Sequence, residues 1–230
     1  MDEEYFLDND RTHEFVETVD AIADEHEEVE NLLDELEGPF QELLMDDDWL
    51  PELYRNPTPD DYDDKGEMGQ SIAQWLLYRR ENLVLFSLVI PPGVATPVHD
   101  HLSWGLVGLY QGRQQEDFYT RVDDMDNDIG PAQLELKRSQ EQGRGDYYKL
   151  VPPEDDIHAV ETSSEEPSVS IHLLGTDVGC LRRHSFDVEG DFVEQFQSHY
   201  TNVRCEDTID PEKAFSADGG HDHGHGHHHH

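Results

Sequence analysis

The chain has 230 residues and a mass of 26.5 kDa, which suits one domain of ordinary size or a core domain with appendages. With 54 Asp and Glu against 15 Lys and Arg the formal charge is −39, which excludes sequence-independent binding to nucleic acid and argues against docking on anionic lipid. No run approaches the roughly 18 apolar residues of a membrane span, and the acidic start MDEEYFLDND lacks the parts of a signal peptide, so a soluble cytoplasmic protein with no nucleic-acid or membrane partner is expected.

Residues 1–55 read as acidic helices laid on a sheet domain. Phe15, Val16, Val19, Ile22 and Ala23 recur at three- and four-residue steps, and Val29, Leu32, Leu33 and Leu36 continue the stripe. Gly38-Pro39 is expected to end it, with a short helix near Gln41–Met45 after the break. Residues 56–69 form a turn-rich acidic loop.

From residue 71 the pattern changes to short strands. Gln74–Arg80 and Leu83–Pro91 flank a Glu81-Asn82 turn and predict a hairpin. Strands follow near Thr96–His101, Gly105–Gln111, Gln115–Arg121, Leu134–Arg138, Tyr147–Val151, His158–Glu161 and Ser168–Leu174, and a hairpin or helix near Phe186–Tyr200. Many short strands at regular spacing predict an antiparallel sandwich or barrel. Residues 56–200 are therefore assigned to the barrel, and 201–230 to a C-terminal extension. Its end, SADGGHDHGHGHHHH, is low in complexity and expected to be disordered; a purification tag and a partly native His-rich tail both fit it.

The apolar runs LVLFSLVI and WGLVGLY point to a folded core under the acidic skin. Such a skin suits an organism with high internal salt, because at about 1 M salt the Debye length is about 3 Å. Cys180 and Cys205 make no framework and are expected to be free thiols in a reducing compartment.

The chemistry concentrates in TPVHDHLSWG, residues 96–105. His99 and His101, one residue apart on a strand, project from the same face and can share one metal ion; imidazole suits Fe, Zn, Cu or Ni. The spacing of Gly93, His99, His101, residue 105 and Gly112 resembles the first motif of the cupin superfamily. Gly145, Pro153, Asp155 and His158 resemble the second, with Asp155 where glycine is usual and Thr162 where asparagine is usual. The resemblance implies an all-β core, a cupin double-stranded β-helix barrel behind an N-terminal helical segment, with His99, His101 and His158 as metal ligands. Gly105 stands where the family's fourth ligand, a glutamate, is usual. Three neutral imidazoles would leave coordination positions open, a catalytic arrangement rather than a closed structural one.

Within that superfamily the residues resemble the iron-dependent thiol dioxygenases, the cysteine dioxygenase group, and most closely its 3-mercaptopropionate branch. The matching segments are QWLLY (74–78), TPVHDHLSWGLVGLYQG (96–112) and SVSIHLLGTDVGCLRRHSFD (168–187). The resemblance implies one Fe(II) per chain, with a small carboxylated thiol (3-mercaptopropionate or cysteine) and O₂ as partners and a sulfinic acid as product. It also carries over Ser170 and His172 as two members of an outer Ser-His-Tyr triad, with Leu174 where the tyrosine is usual. Gln74 matches a pocket glutamine and Arg183 an arginine associated with the substrate carboxylate.

Tyr78 and Arg80 offer a competing match to the tyrosine and carboxylate-binding arginine of animal cysteine dioxygenases. On one regular strand face Gln74 and Arg80 lie about 20 Å apart, so both cannot serve one metal, and the neighbouring segments favour Gln74. Leu174 and Trp104, with Val89 and Leu106, are expected to line the pocket, and Asp100 to face away from it. Arg182-Arg183 could equally be a basic pair in the surface network, and His13, His26, His184 and His199 are read as surface residues. The alternative function is a three-His cupin holding another divalent metal, either an isomerase or hydrolase or a non-catalytic small-molecule binder. Either a monomer or a homodimer is compatible with the sequence.

The charge makes a direct prediction. The melting temperature should rise steadily from low to molar salt, as screening relieves repulsion among the acidic groups; a flat salt titration followed by circular dichroism would rule out adaptation to high salt.

Overall fold

The computed structural model describes residues 2–57, 68–69, 71–124 and 126–212. Most of the acidic loop 56–69 and the whole His-rich end therefore lie outside the described residues. The elements are β1 (Glu4–Tyr5), α1 (Asp10–Glu25), α2 (Val29–Leu44), a 3-10 turn (Glu52–Arg55), β2 (Ala73–Arg80), β3 (Leu83–Ile90), β4 (Val98–His99), β5 (Gly105–Gln111), β6 (Gln114–Arg121), β7 (Gly130–Pro131), β8 (Leu134–Gln142), β9 (Tyr147–Leu150), β10 (Ile157–Thr162), β11 (Ser168–Leu174), β12 (Arg183–Asp187) and β13 (Phe192–Phe196). No helix among the described residues is long and apolar enough to cross a membrane.

The strands form two antiparallel sheets that curl around a shared interior, a double-stranded β-helix. One sheet has the order β1-β2-β3-β11-β5-β9 and the other β7-β13-β12-β4-β10-β6-β8. Neighbours such as β3–β11 and β4–β10 are distant in sequence, so the interior closes only when the whole barrel has formed. The segment after residue 186 resolves into the β12–β13 hairpin, and the segment around His99 into a strand of two residues, Val98–His99.

Helix α1 starts at Asn9, whose Oδ1 accepts from the Thr12 backbone N–H at 2.8 Å. Helix α2 runs unbroken through Pro39, contrary to the break expected at Gly38-Pro39. The cause is packing. Leu32, Leu33, Leu36, Phe40, Leu43 and Leu44 make one buried stripe in the cluster shared with Trp75, Leu77 and Leu106, whereas Gly38 is exposed. That burial offsets the hydrogen bond Pro39 cannot donate. Gly108 of β5 is the floor beneath the helix, since a Cβ there would meet Leu44 Cδ1 at 2.5 Å and Phe40 Cε1 at 2.8 Å.

The helices cover one face of the first sheet, and its other face looks into the barrel. Trp75, Leu77, Leu85, Val89 and Leu106 belong to the helix-side cluster. Leu76, Phe86, Leu88, Leu174 and Phe196 belong to a second cluster between the sheets.

Cys180 and Cys205 are not free thiols; they form a disulfide. After β13 the chain returns as a strap along the part of the β2 edge that β1 leaves unpaired, where the Gln74 backbone exchanges hydrogen bonds with Thr201 and the Leu76 backbone with the Asn202 side chain. It then passes beside residues 180–182, where Ile209 N–H donates to the Cys180 carbonyl and Arg182 N–H to the Ile209 carbonyl, both at 2.8 Å. This return brings the two cysteine Cα atoms to 5.5 Å, within bridging reach. Sequence spacing carried no sign of it.

Two substitutions separate packing from propensity in α2. Phe40→Ala should cost about 3–5 kcal/mol in denaturant unfolding, whereas Pro39→Ala should leave stability unchanged or raise it, because it restores a donor at a half-buried position. Equal losses from both would show that packing of the stripe does not hold the helix through Pro39.

Candidate metal centre

His99 ends β4 and His158 lies on the adjacent β10, directly paired across the ladder. His101 follows β4 by two residues. Their available ligand atoms all lie within 4.8 Å of one another, and all three side chains are buried. Each Nδ1 is engaged from behind: that of His99 with the Pro97 carbonyl at 2.8 Å, that of His101 with the Asp156 carbonyl at 3.0 Å, and that of His158 with the Tyr148 hydroxyl at 3.3 Å. The Nε2 atoms are left for a shared ligand. Backing partners of this kind fix both tautomer and ring orientation in metal-binding histidines. Burial, then the neighbouring His101, holds the His99 and His158 imidazoles well below the usual range, so both are neutral bases at physiological pH. The donor set therefore fits a divalent metal ion.

Asp156, not singled out in the sequence, organises this corner. Its buried carboxylate accepts from the backbone N–H groups of His101 and Leu102, at 3.0 and 3.3 Å, where Leu102 takes the left-handed φ of 55°. The turn that aims His101 is held by that clamp. Tyr148 and Glu116 were also missed. The Tyr148 phenol is pushed well up by burial and by Glu116. Burial raises the Glu116 carboxyl to about 8, against the pull of Gln140 and Arg138. Only the strand register of β6 and β9 places these two side chains inside the barrel.

Position 105 has no room for a glutamate. It pairs across the ladder with Leu174, and a Cβ on Gly105 would collide with the Leu173 carbonyl and Leu174 Cδ2. The Leu174 side chain takes the space beside Gly105.

Across the interior, β11 presents Ser170, His172 and Leu174 on one face. Ser170 Oγ lies 2.9 Å from His172 Nε2, the ring stacks on Phe86 with centroids 4.6 Å apart, and His172 Nδ1 is buried without a partner. Burial, then His101 and Arg183, keeps this imidazole neutral. Phe196 closes the other flank, 5.7 Å from the His99 ring.

Gln74 and Arg183, from opposite sheets, meet at one atom. Ser198 Oγ is 2.8 Å from Arg183 Nη2 and 3.2 Å from Gln74 Nε2. Arg183 Nη1 donates to the Asp100 carbonyl, while Arg183 Nε and Gln74 Oε1 are buried without partners. Arg182 instead pairs with Asp210 on the outside, so the two arginines are not one surface pair.

Tyr78 and Arg80 are not at this site. The β2–β3 register shifts between Leu76 and Tyr78, a bulge that reverses the alternation. Tyr78 consequently turns to the helix side, where its hydroxyl donates to Glu3 at 2.7 Å, and Arg80 pairs with Asp20 of α1 at 2.5 Å. The expected lining also changes. Val89 and Leu106 face the helix-side core, and Trp104 packs there against Gly175, so Phe86, Leu88 and Phe196 join Leu174 in their place. His184, read as a surface residue, bridges Asp100 and Asp128 at 2.6 and 2.7 Å. Burial would lower its pKa, but the two carboxylates outweigh that and raise it to about 9.

No family model matches the chain. Solved structures similar to it include a double-stranded β-helix protein from Klebsiella pneumoniae subsp. pneumoniae MGH 78578, with 14% identity over 45% of this chain and 76% of that one and a TM-score of 0.32. A cupin superfamily protein from Desulfitobacterium hafniense DCB-2 has 13% identity over 46% and 79%, with a TM-score of 0.34. Peruvianin-I, described as a cysteine peptidase from Thevetia peruviana latex, has 17% identity over 55% and 71%, with a TM-score of 0.37. Such distant likenesses say nothing of activity.

The Asp156 clamp predicts a loss of affinity without loss of a ligand. Asp156→Ala should weaken metal binding about 10–100-fold in a competition titration with a chromophoric chelator, using protein lacking residues 216–230. Unchanged affinity would show that His101 is held without it.

Proposed function

We propose that the protein is a mononuclear non-haem iron thiol dioxygenase that converts a small carboxylated thiol, RSH, and O₂ into the sulfinic acid RSO₂H. The observation that carries the reading is Arg183. In a chain with 54 acidic residues, this buried guanidinium has no carboxylate within ion-pair distance among the described residues. The buried Asp100 and Asp156 favour its charge only from beyond that distance; a buried cation without a direct counter-ion is costly, and an anionic ligand would pair with it. Arg183 also lies close enough to the three imidazoles to depress His99 and His158, which suits a ligand with an acid at one end and a thiol at the other.

Bound iron(II) would supply Lewis acidity favouring the thiolate form of the substrate and the redox chemistry that activates dioxygen. The chain's own groups supply the rest. Arg183 holds the carboxylate and, with Gln74, sets its orientation. His172 is neutral. With Ser170 donating to Nε2, its proton sits on Nδ1, where it can hydrogen-bond to a developing negative charge. Phe86, Phe196 and Leu174 keep water from reactive oxygen. Leu174 supplies no phenol, so His172 is the principal hydrogen-bond donor on that wall.

The test is metal analysis of protein lacking residues 216–230, with oxygen uptake measured on 3-mercaptopropionate, cysteine and cysteamine. Stoichiometric iron and uptake with the two carboxylated thiols, reduced at least about tenfold by Arg183→Met, are expected. Tight zinc with no thiol-dependent uptake would overturn the reading in favour of a three-His cupin of another class.

A further inference from the structure

Gln74 presents a chemical conflict that Ser198 can resolve. A guanidinium only donates hydrogen bonds, so Ser198 Oγ must accept from Arg183 Nη2, leaving its own single proton to give. The Gln74 amide stands 3.2 Å from the same oxygen with Nε2 toward it, so the acceptor Oε1 is the end left buried and unpartnered. A carboxylate is also only an acceptor and can make no bond to Oε1. A half-turn about the last side-chain torsion exchanges the two ends. The Ser198 hydroxyl then donates to Oε1, and the amide NH₂ becomes a free donor, as the Arg183 Nε–H already is. All three groups are buried, so each unpaired polar atom carries a desolvation cost that an anion could remove.

We propose that Ser198 is a positioning residue for substrate: its oxygen anchors Arg183, and its hydroxyl, donating to Gln74 Oε1, turns the amide so that both groups donate to the substrate carboxylate. This rests on the reading of the pocket as an anion site. The strap delivers Ser198 with little freedom. His199 N–H donates to the Gly179 carbonyl at 2.9 Å, Thr201 is bonded to the backbone of Gln74 itself, and the Cys180–Cys205 disulfide encloses both Arg183 and Ser198 in one covalent loop. The same device discriminates among ligands, because a thiol without a carboxylate gains nothing from the turned amide.

The test pairs calorimetric binding of propionate to the iron-loaded protein with steady-state kinetics. Ser198→Ala should raise the Kd for propionate and the KM for 3-mercaptopropionate about tenfold, equivalent to about 1.4 kcal/mol. Its kcat and its behaviour toward cysteamine should stay as in the parent protein, and Ser198→Thr, which keeps the hydroxyl, should restore the lost affinity. Gln74→Glu should abolish propionate binding, since a carboxylate there can accept from Ser198 but has nothing to donate. Parent-level propionate affinity in a folded Ser198→Ala, or no propionate binding by the parent protein, would overturn the proposal. If propionate binding depends on Ser198 but no thiol drives oxygen uptake, the dioxygenase reading fails and the anion device stands. Normal thiol-driven uptake with an unaffected Ser198→Ala would leave the dioxygenase reading standing and remove the anion device.

Discussion

Three imidazoles can share a cation only if each turns a free ring nitrogen inward, and most of the site's construction serves that requirement. The ladder pair His99–His158 sets two of them side by side. A carbonyl of the chain's own turn, a carbonyl of Asp156 and the Tyr148 hydroxyl then occupy the outward nitrogens. None of these partners is a metal ligand, and without them the rings would have no fixed tautomer. Burial then depresses His99 and His158, so the donor lone pairs are available without competition from protons.

The second organising feature is the contrast between the skin and the interior. Outside, cations are neutralised by nearby acids: Lys137 and Arg138 by Asp155, Lys149 by Asp34, Arg182 by Asp210. Exposed pairs of this kind contribute little individually. Arg183 is carried inside by β12 and given a carbonyl and a hydroxyl as direct partners, with the buried Asp100 and Asp156 acting on it from farther away.

Much of this was legible in the sequence where local signals and tertiary demands agree. The apolar run LVLFSLVI, the strand composition of SVSIHLL and the turn at Glu81-Asn82 marked β3, β11 and the hairpin nearly residue for residue. The spacing of His99, His101 and His158 anticipated the cluster the fold assembles. Legibility failed where one residue changes a register or a long return decides the outcome. Strict alternation put Tyr78 and Arg80 on the face of Gln74, and the bulge after Leu76 removed them from it. Pro39 read as a stop because its cost is local while the stripe that overrides it is tertiary. Ser198, Asp156 and the disulfide depend on contacts across 124, 55 and 25 residues, for which no short-range pattern exists.

Gly105 and Leu174 interlock so closely that neither can be exchanged alone for a bulkier residue. A side chain at 105 would require the Leu173 carbonyl to move, and that carbonyl belongs to the central ladder of the sheet. The count of protein ligands at this corner is therefore set by how the backbones of β5 and β11 meet.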